Sequence, residues 1–184
     1  MSKKLLVMAA VVLLAVGGVA GFALSHKKDA PTQSATQVKT VQSTGNSNYY
    51  FKDNTLKIHD ATVVITDVKV IPVGEKGNEY GKKPVIAFWF KTTNLTNKEM
   101  TPDEPWIACI DAYQDNNPNA ENKLDVGSLP DEQFSDSQFE NIKQGGTVED
   151  AIAYELDDST TPVVLKAMQG ISGPKLGEQT FNIK

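Results

Sequence analysis

The sequence predicts an all-β domain of two antiparallel sheets packed face to face, set behind an apolar N-terminal segment and a polar stalk. Three observations carry this. Between Tyr49 and Lys184 apolar and polar side chains alternate over short stretches, the two-residue period of a half-buried strand. No stretch there keeps the 3.6-residue period of a long amphipathic helix. The roughly 135 residues from Tyr49 onward suit one hydrophobic core and not two. Strands in this number bury their apolar faces by stacking one sheet on another.

Tyr49 to Lys52 and Thr55 to Ile58 read as short strands around Asp53-Asn54, since Asp and Asn tolerate the left-handed backbone of a tight turn. Ala61 to Val73 continues in strand chemistry, with Val63 and Ile65 on one face and Val68 and Val70 on the next. The phase slips at Thr66-Asp67, so a bulge there keeps both pairs on the core side. A Gly- and charge-rich loop from Gly74 to Pro84 leads into the strongest strand, Val85 to Thr93. Ile86, Phe88 and Phe90 share its core face. Val85, Ala87 and Trp89 make the opposite face apolar too, which marks a central strand partly covered on both sides. Trp106 to Gln114, Thr147 to Leu156, Pro162 to Met168 and Gln179 to Ile183 supply the remaining strands. Glu132 to Glu140 is expected to form a turn or two of helix with Phe134 and Phe139 packed inward.

Lys3 and Lys4 precede an uncharged, almost wholly apolar run from Leu5 to Leu24, and Ser25, His26, Lys27 and Lys28 follow it. At about 1.5 Å per residue this run would cross a hydrocarbon core roughly 30 Å thick, so residues 1–25 are expected to be a signal peptide or a single-pass signal anchor. Ala23-Leu24-Ser25 offers small residues for a cut before His26, whereas the run exceeds the usual apolar region of about 7–15 residues in a cleaved signal. The expected location is therefore the cell membrane, spanned by residues 5–24 with the C-terminal domain outside, or the exterior if the chain is cut near Ser25. Residues 26–48 are rich in Ser, Thr, Gln, Asn and Ala and read as a disordered linker that buries too little to fold. A flexible coil of this length holds its ends about 25–30 Å apart. Residues 49–184 then form the sandwich.

The landmarks fall in a recognisable order: Val85 to Thr93 running into Asn94-Leu95-Thr96-Asn97-Lys98, then Ala112-Tyr113-Gln114-Asp115, Ile142-Lys143-Gln144-Gly145-Gly146-Thr147-Val148, Ala153-Tyr154-Glu155-Leu156 and Thr161-Pro162-Val163. Over about Tyr49 to Met168 this resembles the immunoglobulin-like domains of unknown function found in exported lipoproteins and anchored surface proteins of Gram-positive bacteria. The resemblance implies an immunoglobulin-like β-sandwich at the cell surface, and no activity or ligand. The chain departs from the pattern after Asp115, where Asn116-Asn117-Pro118-Asn119 opens a long acidic connection and leaves the strand pairing around Leu124 open.

Several chemistries lack their parts. Cys109, the single cysteine, admits no internal disulfide, and its apolar neighbours Trp106, Ile107, Ala108 and Ile110 predict a buried inert thiol. His59 sits beside Asp60 at a strand end, and neither it nor His26 joins a triad or zinc pattern. Asp115 to Ala120 opens like a calcium loop, but Ala120 stands where Gly is needed and Val126 where the bidentate Glu belongs. A looser cation site would draw on Asp111, Asp115, Asp125 and Asp131. Glu149-Asp150 and Asp157-Asp158 are adjacent on strands, point to opposite faces, and so do not form a glycosidase pair. No enzyme and no cofactor are expected.

All 18 basic residues are Lys against 23 Asp and Glu, a net charge of −5. Without Arg the chain lacks the planar fork suited to phosphate and guanine, and from Asp103 to Asp158 fifteen acidic residues face only Lys123 and Lys143. Nucleic acid is excluded on both counts. The acidity fits a solvated face, or a surface for an extracellular protein or a cationic wall component. Asp111, Tyr113, Asp115, Trp89 and Trp106 are the candidate binding residues, with core packing the alternative role for the aromatics. The expected function is a membrane-tethered binding or accessory module. A structural spacer is the alternative, and a wall-polymer hydrolase the remote third.

Overall fold

The computed structural model describes residues 48–184. The expected membrane segment 5–24 and nearly all of the linker lie outside the described residues. Among those described, no helix is long and apolar enough to cross a membrane.

Among the described residues, nine strands form two antiparallel sheets. The first has the order β1-β2-β3-β4-β7, from β1 (Tyr50–Lys52), β2 (Thr55–Lys57), β3 (Ala61–Ile71), β4 (Val85–Asn94) and β7 (Thr147–Glu155). The second has the order β6-β5-β8-β9, from β5 (Ile110–Gln114), β6 (Asn122–Lys123), β8 (Val163–Met168) and β9 (Lys175–Phe181). Phe51, Leu56, Val63, Ile65, Ile86, Phe88 and Phe90 of the first sheet share one core with Ala112, Val163, Leu165, Leu176 and Phe181 of the second. The two sheets therefore pack face to face, as a β-sandwich requires.

The first hairpin forms as expected. Asp53 and Asn54 both take positive φ, 50° and 59°, and Lys52 pairs directly with Thr55, so this is a two-residue turn whose twist suits the flanking strands. The register of β3 on β4 slips between Ile65 and Asp67, placing the bulge at Thr66. Val63 and Ile65 are buried and Val68 partly so, but Val70 is 39% exposed. The expectation that Val70 joins the core is corrected because β2 pairs only with Thr62 to Val64, leaving the later half of β3 as a free edge. Strand β4 is central, with Ile86, Phe88 and Phe90 in the main core. Val85 and Ala87 join Ile71, Ala153 and partly buried Trp89 in a smaller cluster on the other face.

Three other expectations change. Trp106 to Cys109 is not strand: a short helix, α1 (Glu104–Cys109), precedes β5. Pro105 suits the first helical turn, where its missing N–H costs nothing, and Glu104 complements the N-terminal dipole. Trp106 and Cys109, three apart, face inward while Ile107 is 61% exposed; an apolar run this short does not reveal its period. Strand β9 begins at Lys175 rather than Gln179 and stops at Phe181, because Gly177 breaks the alternation in sequence without breaking the strand. The segment 132–140 forms two 3-10 turns, Glu132–Phe134 and Ser137–Phe139. Phe134 is buried as expected, but Phe139 is 76% exposed, since successive 3-10 turns do not hold residues five apart on one face.

Aromatic rings fill the middle of the sandwich. Trp106 stacks on Phe90 at 4.7 Å between centroids and lies 5.5 Å from Phe88, which meets Phe181 of the opposite sheet edge-on at 5.1 Å. Trp106 Nε1 donates to Tyr154 Oη at 2.8 Å, and burial pushes the Tyr154 phenol up to about 12. At the open side of the first sheet, β1 lies against β9. Asn54 and Gln179 exchange two hydrogen bonds of 2.9 Å, and a Cβ on Gly177 would stand 2.1 Å from the Phe51 carbonyl oxygen. Gly177→Ala should force these strands apart and lower stability by about 2–3 kcal/mol, read as a shifted urea midpoint.

Asp150 lies opposite Phe90 on the inward face of β7, 1% exposed, and accepts the Ala151 N–H at 2.8 Å. Burial, aided by the nearby charge of Asp103, pushes its carboxyl up to about 6. The native state thus binds this proton more tightly than the unfolded chain, so stability falls as pH rises from about 4 to about 6. Asp150→Asn should raise stability at pH 7 by about 1–3 kcal/mol and change it little at pH 4, as urea titrations at the two pH values would measure.

Candidate functional site

Alternation along β5 turns Ile110, Ala112 and Gln114 into the core and Asp111 and Tyr113 toward solvent. Register then decides their neighbours. Asp111 stands beside Lys166 of β8, Tyr113 lies between Lys123 of β6 and Val164 of β8, and Lys166 is next to Glu178 of β9. The outer face of the second sheet therefore carries an aromatic ring amid alternating charges. Lys166 Nζ sits 4.3 Å from the Tyr113 ring centroid and 2.5 Å from Glu121 Oε1, while Lys123 Nζ pairs with Asp111 Oδ1 at 2.7 Å. A shallow depression of about 280 Å³ opens here, its lining including Tyr113, Asp115, Glu121, Val164, Lys166 and Glu178.

The electrostatics follow from these contacts. The hydrogen bond to Glu121 holds Lys166 above the usual ammonium range, and that to Asp111 does the same for Lys123. Partial burial, with the charge of Asp111, raises the Tyr113 phenol. The surface thus combines the Tyr113 phenol with Lys123, Lys166 and the acidic side chains of Asp111, Asp115, Glu121 and Glu178.

Three of the five residues singled out in the sequence, Asp111, Tyr113 and Asp115, thus share one face. The other two do not. Trp106 is wholly buried between the sheets, because it lies on α1 rather than on an exposed strand position. Trp89 is on the outer side of the first sheet, where its Nε1 donates to Asp131 Oδ2 at 3.1 Å and Lys69 Nζ lies 4.9 Å from its ring. The suggested cation site does not assemble: Asp111 is held by Lys123 and Asp131 by Trp89 and Gln133. Among the described residues no three His, Cys, Asp or Glu side chains converge as metal ligands.

Of the two carboxylate pairs, the first separates and the second does not. Glu149 pairs with Lys91 at 2.8 Å on the surface, while Asp150 is buried. The expectation that Asp157 and Asp158 point apart is corrected: they follow the end of β7, in a loop rather than on a strand, and both accept from Asn116 Nδ2, at 2.8 and 2.9 Å. Asp157 also lies 3.8 Å from Lys83, and Asp158 accepts the backbone N–H groups of Thr160 and Thr161. Those donors hold the Asp158 carboxyl well below the usual range. Cys109 is a free, buried thiol whose pKa burial raises, and the His59 ring pairs with Asp60.

Gln114 is the residue that sequence reasoning missed. It is wholly buried; its Oε1 accepts from the N–H of Asp157 at 2.6 Å and of Asp158 at 3.2 Å, and its Nε2 donates to the carbonyls of Asp158 and Thr161. The signal was available in the parity of β5, which put a polar amide in line with Ile110 and Ala112. This side chain pins the β7–β8 loop directly behind Tyr113. Gln114→Ala should cost about 2–4 kcal/mol in chemical denaturation, because four buried or half-buried backbone groups lose their partner.

The likeness to known proteins agrees with this architecture. The fold is similar to the structure of a candidate lipoprotein from Staphylococcus aureus subsp. aureus NCTC 8325, with a TM-score of 0.61 at 20% identity over 80% of this chain and 94% of that one. It is also similar to the NMR structure of a protein from Enterococcus faecalis, with a TM-score of 0.55 at 22% identity over 75% of this chain and 95% of that one. Both likenesses are of fold, and neither description speaks of an immunoglobulin-like domain. No curated protein matches the chain. Residues 36–169, most of the length, match a family described as "Domain of unknown function (DUF5067)", and the chain belongs to that family.

Proposed function

We propose that this protein is a non-catalytic binding or accessory module with an immunoglobulin-like sandwich, presented at the outer surface of the cell envelope, and that the outer face of the β6-β5-β8-β9 sheet is its contact surface. The observation that carries the reading is the cluster around Tyr113. An aromatic ring and Val164 are set among carboxylates and ammonium groups in a concave patch on regular strands. A flat sheet is a rigid platform, and a phenol with an apolar body and a polar tip suits a contact that is partly wet. Placement at the envelope is supported by the apolar run from Leu5 to Leu24 and by the lipoprotein-like structural neighbour. With Cys109 buried in the core, anchoring falls to that apolar run.

The test is capture of surface proteins and wall fragments by the full chain, with chemical crosslinking before extraction. A specific partner should be retained by the wild type and lost, at least tenfold, with Tyr113→Ala, while Tyr80→Ala on the exposed β3–β4 loop retains it. Equal capture by both variants would place contact elsewhere. No specific capture by any form would leave a spacer domain.

A further inference from the structure

The depression beside Tyr113 already holds a cation, and the cation is the protein's own. The Lys166 ammonium lies over the phenol ring and against Glu121, so the groups that would receive an alkylammonium are in place with one seated between them. Glu121 and Lys166 come from different strands' surroundings, 45 residues apart in the chain, and their side chains are 72% and 32% exposed. Such a pair contributes little to stability, since exposed ion pairs are screened and hold two long side chains in one arrangement. The lining is also unbalanced: Asp115, Glu121 and Glu178 face a single ammonium, that of Lys166. Glu178 pairs with Lys175 outside the depression, and among the described residues Asp115 makes no ion pair. Val164 supplies an apolar floor for a methylene stem.

We infer that the depression is a recognition site for a lysine side chain on an extended partner segment, and that Lys166 is an internal occupant which the incoming cation displaces. This rests on the reading of the outer sheet face as the contact surface and names the chemistry that face selects. Binding exchanges one cation for another over Tyr113 and Glu121, and the released Lys166 is free to swing toward Glu178, its neighbour on β9. The net gain comes from Asp115, which the resident ammonium leaves unpaired. Affinity is accordingly modest and salt-dependent.

The test titrates the full chain with a lysine-bearing pentapeptide, with the same peptide acetylated on Nε, and with a chitosan oligomer, following Tyr113 and Lys166 resonances by NMR. The peptide should shift both residues, and Nε-acetylation should abolish the effect. Lys166→Met should bind the peptide roughly two- to fivefold more tightly, as expected when one cation–π competitor is removed. Lys123→Met removes the same charge from the same face beside the depression and should change affinity less. Tyr113→Leu should cancel the gain in the double variant. Binding of the oligomer as tightly as the peptide would overturn the assignment to a protein segment; binding of the peptide alone supports it. Equal gains from Lys166→Met and Lys123→Met, or undiminished binding of the acetylated peptide, would overturn the inference. If crosslinked capture still depends on Tyr113 in that case, the contact surface stands and only its chemistry is wrong.

Discussion

The structure depends on one aromatic contact, the wedge of Trp106 beneath Phe88 and Phe90. With a single free cysteine, nothing covalent ties the two sheets together, so the distance between them is set by what fills the gap. Trp106 stacks on Phe90, Phe88 meets Phe181 from the other sheet, and the indole N–H is satisfied by Tyr154. A large ring buried with its polar atom paired gains the full benefit of burial without a desolvation cost. Helix α1 exists to deliver this side chain: it lies between β4 and β5, where the chain crosses from the first sheet to the second.

Around that wedge, polar residues fix the loops. Asn94 is wholly buried and bridges the carbonyls of Lys98 and Ile142 while accepting from Thr96, tying the end of β4 to the segment before β7. Asn78 does similar work for the β3–β4 loop through the carbonyls of Ile71 and Lys83. Among the described residues no buried side-chain nitrogen or oxygen lacks a partner. Amides suit this role because one side chain both donates and accepts, so a loop without its own ladder is still satisfied.

Period-two alternation made most of the sandwich legible in the sequence. It gave the two-residue turn at Asp53-Asn54, the bulge at Thr66 and the inward face of β4 before any coordinates. It failed where a local signal was overridden. Pro105 and Glu104 turned an apolar run into a helical turn, Gly177 concealed the start of β9, and the short β2 left Val70 exposed. The candidate surface was half legible. Parity on β5 placed Asp111 and Tyr113 outward together, but Lys166 and Glu121 come from distant parts of the chain. The register of β5 on β8 brings Lys166 to the ring, and that of β5 on β6 brings Glu121. Trp89 and Trp106 illustrate the limit: an aromatic on a strand or helix does not say which side of a sheet it will occupy.

Gln114 joins these two levels. It follows Tyr113 immediately and points the opposite way, so the backbone that carries the phenol outward is fastened from behind to the loop between β7 and β8. A contact surface mounted on such a brace has little slack to lose when something settles on it, and the configurational entropy of ordering it has been met during folding rather than at encounter. Recognition on this face would then act through a shape already set, and differences between partners would appear mainly in how slowly they depart.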